Sequence, residues 1–181
     1  MPRLPEVTDR NALPEAHREV HDYLTKTRGA VRLPFSALLH SPDVTQRIAH
    51  VGTYVRFESV LPDKTRELAI LTAARERDVA FEWAGHCRLA RELGISEETI
   101  DTIAYRKPLD KLSPEEALPI RFAREIINDH KVSDATWQAV HAKFGDRGAI
   151  DLAAAVGYYA MLGCILNTLE LKPAPDAPQL P

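Results

Sequence analysis

Residues 152–169, LAAAVGYYAMLGCILNTL, limit this chain more than any other stretch. Not one Lys, Arg, Asp or Glu interrupts them. The run is slightly short for a membrane span, and Asn167 and Thr168 lie near its end. A helix that is apolar on every side belongs in a core or at the centre of an oligomer. The expectation is therefore a helix buried nearly all round, which requires several partners around it.

The remaining sequence offers helices as those partners. No sustained period-two alternation bounded by hairpin turns occurs, so strands are not expected. One helix is expected from Pro14 to about Arg28, stopped by Gly29. Another runs from Pro42 to about Phe57, led by Ser41 as cap and proline in the first turn. LPDKTRELAILTAARER starts a third near Pro62, and FEWAGHCRLARELG a fourth that ends at Gly94. SEETIDTIAY is short. Ser113, Pro114 and Glu116 fit a capping box with proline at the first helical position. SDATWQAVHAKFG and a long segment from about Arg147 to Leu171 complete an all-α, single-domain helical bundle.

Composition removes several function classes. The formal net charge is −3, with no basic cluster to attract nucleic acid or an anionic membrane. The first twenty residues lack an apolar stretch of signal-peptide length, so a cytoplasmic protein is expected. Cys87 and Cys164 form neither CxxC nor a zinc spacing.

Chemistry concentrates in FEWAGHCRLARELG, residues 81–94. Glu82 and His86 are four apart and stack on one helix face, at the head of an apolar stripe continued by Leu89, Ala90 and Leu93. If the pair points inward, burial and mutual attraction push its pKa values in opposite directions, and either balance can give a proton-exchanging group near neutrality. If it points outward, it is a surface ion pair worth a few tenths of a kcal/mol. A shared metal needs a third ligand, and no HExxH or second ExxxH is present, so no metal is expected. Trp83 and Cys87 suit packing roles. Glu67, beside the apolar band of the preceding helix, is by itself a solvated or base-paired glutamate.

RELAIL followed by FEWAGHCRLARELG resembles the carboxymuconolactone decarboxylase family, the all-α group that includes alkyl-hydroperoxidase-like disulfide reductases. LPFSALLHSPDV, GTYVRFESVLPDKTRELAILTAAR and GYYAMLGCILNTLEL support it by order and spacing. The resemblance covers residues 34–171. It implies an N-terminal segment with one helix at 1–33, a family-like helical domain at 34–171, and a proline-rich tail at 172–181 that cannot form a regular helix and is expected extended or disordered. The peroxidase branch uses CxxCxxxH with an upstream glutamate. With its histidine on His86, the cysteine positions fall on Val79 and Glu82, and the glutamate on Glu67. A dithiol cycle needs an attacking and a resolving thiol, which valine and glutamate cannot supply.

The decarboxylase branch implies cofactor-independent acid–base chemistry on a small lactone or carboxylic acid. The resemblance assigns catalysis to Glu67, Glu82 and His86, with His86 as proton donor or shuttle and Glu67 as its orienter. Tyr54 and Arg56, in GTYVRF, are weaker candidates for the substrate carboxylate, with ordinary helix-face roles as the alternative. It further implies a small-molecule substrate and a homo-oligomer, trimer or hexamer. A non-catalytic oligomeric scaffold and a residual peroxidase acting through Cys87 are the alternatives. Glu67 and His86 are expected within hydrogen-bond reach, which requires a steep crossing of their two helices.

Overall fold

The structure of the protein, a computed structural model, describes residues 2–181. Every helix or sheet element among the described residues is helical. The chain divides into two compact units, one reaching to Glu58 and including Leu169–Leu171, the other formed by Ser59–Thr168 and Lys172–Pro181. The division thus falls at residue 58, not at the 33/34 boundary expected from the sequence.

The first unit shows why. It contains α1 (Arg18–Arg28), α2 (Phe35–Leu38) and α3 (Pro42–Thr53), which runs on into a π-helical turn, Tyr54–Glu58. The stretch expected to begin the first helix at Pro14 forms a 3-10 turn, Glu15–His17, before α1. Gly29 ends α1 in the left-handed conformation, φ 78°, where a side chain is disfavoured. Val20 and Leu24, one turn apart, bury the α1 face. Arg28 then donates to Thr53 Oγ1 at 3.2 Å and to the Ala49 carbonyl at 3.1 Å. The first helix is therefore fastened to α3.

The second unit is built around α4 (Asp63–Glu76), which packs against α5 (Ala80–Glu92), α7 (Pro114–Arg124) and α8 (Asp134–Thr168). Residues Glu67 to Ala74 of α4 are all buried, because partners cover more than one of its sides. The short α6 (Glu97–Ala104) is capped by Ser96, whose hydroxyl accepts from the Thr99 N–H at 3.1 Å. Ser113 caps α7 in the same way through the Glu116 N–H, and Pro114 occupies the first turn. Trp83 of α5 is only 2% exposed and packs in a cluster with Leu68, Leu71, Ile103 and Ile120. The tail residues 172–181 form no helix, yet Leu180 packs against this same cluster.

Helix α8 is interrupted at Gly145, whose φ of 65° and ψ of −175° no helix contains. Its outer part carries Trp137, which is 45% exposed. Its inner part, 146–168, corrects the expectation of burial on all sides. Leu152, Val156, Tyr159, Leu162 and Leu166 are buried, but Ile150 is 66% and Met161 41% exposed. Ala153, Gly157 and Cys164 are exposed with them, at the spacing of one helix face. Among the described residues α8 alone is long and apolar enough to cross a membrane by length and composition, and 56% of its apolar window is buried within the protein. The elements around α8 in its unit cover one side of its apolar stretch and leave the other open.

Candidate active site

Three helices of the second unit bring polar side chains together. α4 contributes Glu67, on the last turn before its run of Leu, Ala and Ile. α5 contributes Glu82 and His86, one turn apart. α8 contributes the ring of Tyr159. All four are buried, at 5%, 7%, 4% and 2% exposure respectively.

His86 Nδ1–H donates to Glu67 Oε1 in a short, buried hydrogen bond. On the opposite edge of the ring, His86 Nε2 lies 3.4 Å from Glu82 Oε2, an ion-pair distance longer than a direct hydrogen bond. The imidazole is thus held firmly at one nitrogen and loosely at the other. Tyr159 meets it at right angles, with ring centroids 4.8 Å apart and an interplanar angle of 85°.

No steep crossing is required for this meeting. Glu67 stands nine residues before the end of α4, and His86 six residues after the start of α5. In a plain antiparallel hairpin they are out of step by three residues, about 4.5 Å along the axis, which two side chains span easily.

The electrostatics follow from this geometry. Burial pulls the His86 pKa down. The charge of Glu67 and its hydrogen bond, then the longer polar contact and the charge of Glu82, outweigh burial and raise it to about 9. His86 is therefore an imidazolium at neutral pH, a buried cation between two carboxylates. Such burial of charge is unfavourable unless paired, and it concentrates at sites that use it.

Redox chemistry finds no support here. The resemblance puts the two redox cysteine positions on Val79 and Glu82. Val79 is fully buried against Gly163, where even a methyl group would come within 2.5 Å of its Cγ2. Burial pushes the Cys87 thiol up to about 11, with Arg91 only partly opposing, so the nucleophilic thiolate is scarce. Cys164 is exposed, and the two cysteines are unpaired with each other. Among the described residues no group of three or more His, Cys, Asp or Glu side chains has the arrangement of a metal site.

Of the residues singled out from the sequence, Glu67, Glu82 and His86 converge. Tyr54 and Arg56 belong to the first unit, on the π-helical turn, where the Arg56 guanidinium lies 5.2 Å from the Phe57 ring. Sequence reasoning missed Tyr159. It stands in a run so uniformly apolar that no periodicity marks one ring as facing a histidine.

Residues 42–118 match the model of the carboxymuconolactone decarboxylase family. No curated protein matches the chain. Among solved structures, the chain is similar to an uncharacterized peroxidase-related protein from Ralstonia eutropha with an alkylhydroperoxidase AhpD core, at 22% identity and a TM-score of 0.77, covering 97% of this chain and 93% of that one. It is also similar to an uncharacterized peroxidase-related protein from Silicibacter, at 16% identity and a TM-score of 0.74, over 97% and 96% of the two chains. The debrominase Bmp8, solved as a cysteine-to-alanine variant with 2,3,4-tribromopyrrole, is 10% identical with a TM-score of 0.72, over 97% and 95%. At such identities the likeness establishes the fold, an all-α arrangement of the alkylhydroperoxidase type.

Proposed function

We propose that this chain, whose residues 42–118 belong to the carboxymuconolactone decarboxylase family, is an acid–base enzyme that decarboxylates a small unsaturated lactone acid or carries out a closely related proton transfer. The buried Glu67–His86–Glu82 array carries the reading. A scaffold protein gains nothing from enclosing a cation and two carboxylates, whereas proton transfer at neutral pH needs such a group.

The division of labour follows from the two edges of the imidazole. Glu67, bound tightly at Nδ1, fixes the ring and sustains its charge. Nε2, held only at 3.4 Å by Glu82, is the edge that exchanges a proton with substrate. In decarboxylation the bond between the carboxylate carbon and the ring carbon breaks. Its electron pair moves into the conjugated lactone carbonyl, which becomes an enolate, and carbon dioxide leaves. The Nε2 proton then goes to carbon and restores the carbonyl. The proton lost from Nε2 is replaced from water, and Glu82, 3.4 Å away, is the group placed to relay it. The conjugated lactone is its own electron sink, so the chemistry calls for no organic cofactor.

The same reading makes the protein a cytoplasmic homo-oligomer, trimer or hexamer, in which a second copy covers the uncharged α8 face of Ile150, Gly157 and Met161. For the activity, purified protein is to be offered γ-lactone acids with a conjugated double bond while carbon dioxide release is followed. His86→Ala is expected to lose at least about a hundredfold in kcat, the usual contribution of a positioned acid–base group, with helical content unchanged. Turnover undiminished in His86→Ala overturns the assignment.

A further inference from the structure

Three helices of the second unit end in the same backbone motif, and only α5 supplies the glycine that the motif favours. There the Ile95 N–H donates to the Ala90 carbonyl and the Gly94 N–H to the Arg91 carbonyl, both at 2.9 Å, with Gly94 left-handed at φ 71°. α4 closes in the same way, Val79 to Ala74 at 2.8 Å and Asp78 to Arg75 at 3.1 Å. So does α6, Lys107 to Thr102 at 2.9 Å and Arg106 to Ile103 at 3.1 Å. In these two the left-handed residues are Asp78, φ 48°, and Arg106, φ 50°, where glycine would carry no steric cost.

The two side chains meet. Arg106 Nε donates to Glu76 Oε2 at 2.9 Å, and its Nη2 donates to the Arg75 carbonyl at 3.0 Å and to Asp78 Oδ1 at 3.3 Å. In return Arg75 Nε donates to the Ala104 carbonyl at 2.6 Å, and its Nη1 donates to Asp78. Each helix has a terminal carbonyl held by an arginine of the other, and the Glu76 side chain that Arg106 holds is only 3% exposed. A glycine at 106 fits the backbone and makes none of these side-chain bonds.

The clamped segment lies where small errors grow. Residues 77–79 alone join α4 to α5. His86 stands six residues, about 9 Å, along α5 from its start. A tilt of α5 by about 10° at the connection moves the imidazole by about 1.6 Å, more than a hydrogen bond tolerates.

We propose that Arg106, together with Asp78, is a positioning residue for the acid–base array: the clamp fixes the direction in which α5 leaves α4 and so keeps His86 against Glu67. The inference rests on the reading of that array as the working site. Arg106 acts through the connection and not by contact with substrate.

Glycine separates a positioning role from a merely structural one. An arginine that only ends α6 is improved upon by glycine, and Arg106→Gly would then raise the folding equilibrium about threefold and leave His86 as it is. With a positioning role, the variant is expected to bind the His86 proton about tenfold more weakly, a midpoint about one pH unit lower. The imidazole nitrogens of the full-length protein, followed by NMR across the pH range, give that midpoint. Glu67, Glu82, Tyr159 and the adjacent Cys87 are the same in wild type and variant, so a lower midpoint reports geometry. Val20→Ala, a core truncation in the first unit, is the control and should titrate with the wild type. A folded Arg106→Gly with the wild-type midpoint overturns the proposal. An equal shift in Val20→Ala does so too, since lost stability alone would then explain it. If Arg106→Gly does not fold, Asp78→Gly takes its place with the same two readings. Absence of lyase turnover in the wild type would refute the functional reading and leave these titrations interpretable.

Discussion

Replacing Glu67 by glutamine tests the electrostatic core of the site, because glutamine keeps the shape and an oxygen to accept from Nδ1–H but removes the charge. In the wild type the His86 pKa rises from 6.5 to about 9 on folding. A shift of that size corresponds to stability on the order of 3 kcal/mol. Since the folded value is the raised one, this contribution is complete below pH 6.5 and disappears as pH climbs through 9. In Glu67→Gln only Glu82 opposes burial, so most of the contribution is absent throughout. The variant is expected to be less stable than wild type by about 2–3 kcal/mol at pH 6, a melting shift of roughly 5–10 °C for a chain of this length. The gap should narrow steadily and nearly close by pH 9.5. Urea unfolding at four pH values between 6 and 9.5 measures it. A wild-type stability that is flat over this range, or a gap of constant size, would refute the claim that Glu67 holds a buried proton on His86.

A thiol reagent should reach buried Cys87 only on unfolding, and peroxide with a dithiol reductant should not be turned over; steady turnover lost in Cys87→Ser would reverse this. Light scattering at micromolar concentration should give a multiple of 20.2 kDa, and Gly157→Glu, on the exposed α8 face, should release monomers. A wild-type monomer, or a Gly157→Glu protein of unchanged mass, contradicts the assembly proposed for that face.

The sequence revealed most where the physics is local. Gly29 and the Ser113–Pro114–Glu116 box mark helix ends because capping involves residues within one turn. Glu82 and His86 were visible as a pair for the same reason. Glu67 was legible only through family resemblance, since a contact nineteen residues away depends on the hairpin count and not on periodicity. Glu67 and His86 can meet without a steep crossing because the distance of each residue from the shared connection, and not its turn count from the helix start, sets the register of a hairpin. No sequence signal marks the open face of 146–168, because an apolar helix face has the same composition whether the chain or another molecule covers it. The first unit's extent also depended on a tertiary contact, Arg28 to α3, that no boundary signal announces.

The chain's two tryptophans lie in opposite surroundings, Trp83 in the packed cluster of α5 and Trp137 on the open outer part of α8. Their fluorescence is consequently separable. Trp137 should emit at longer wavelength and yield to a soluble quencher such as acrylamide, while Trp83 should emit blue and resist it. A Trp137→Phe protein would carry a single tryptophan, Trp83, three residues from His86. Its colour and lifetime would report local loosening of the helix bearing the imidazole, in real time and before a substrate has been identified.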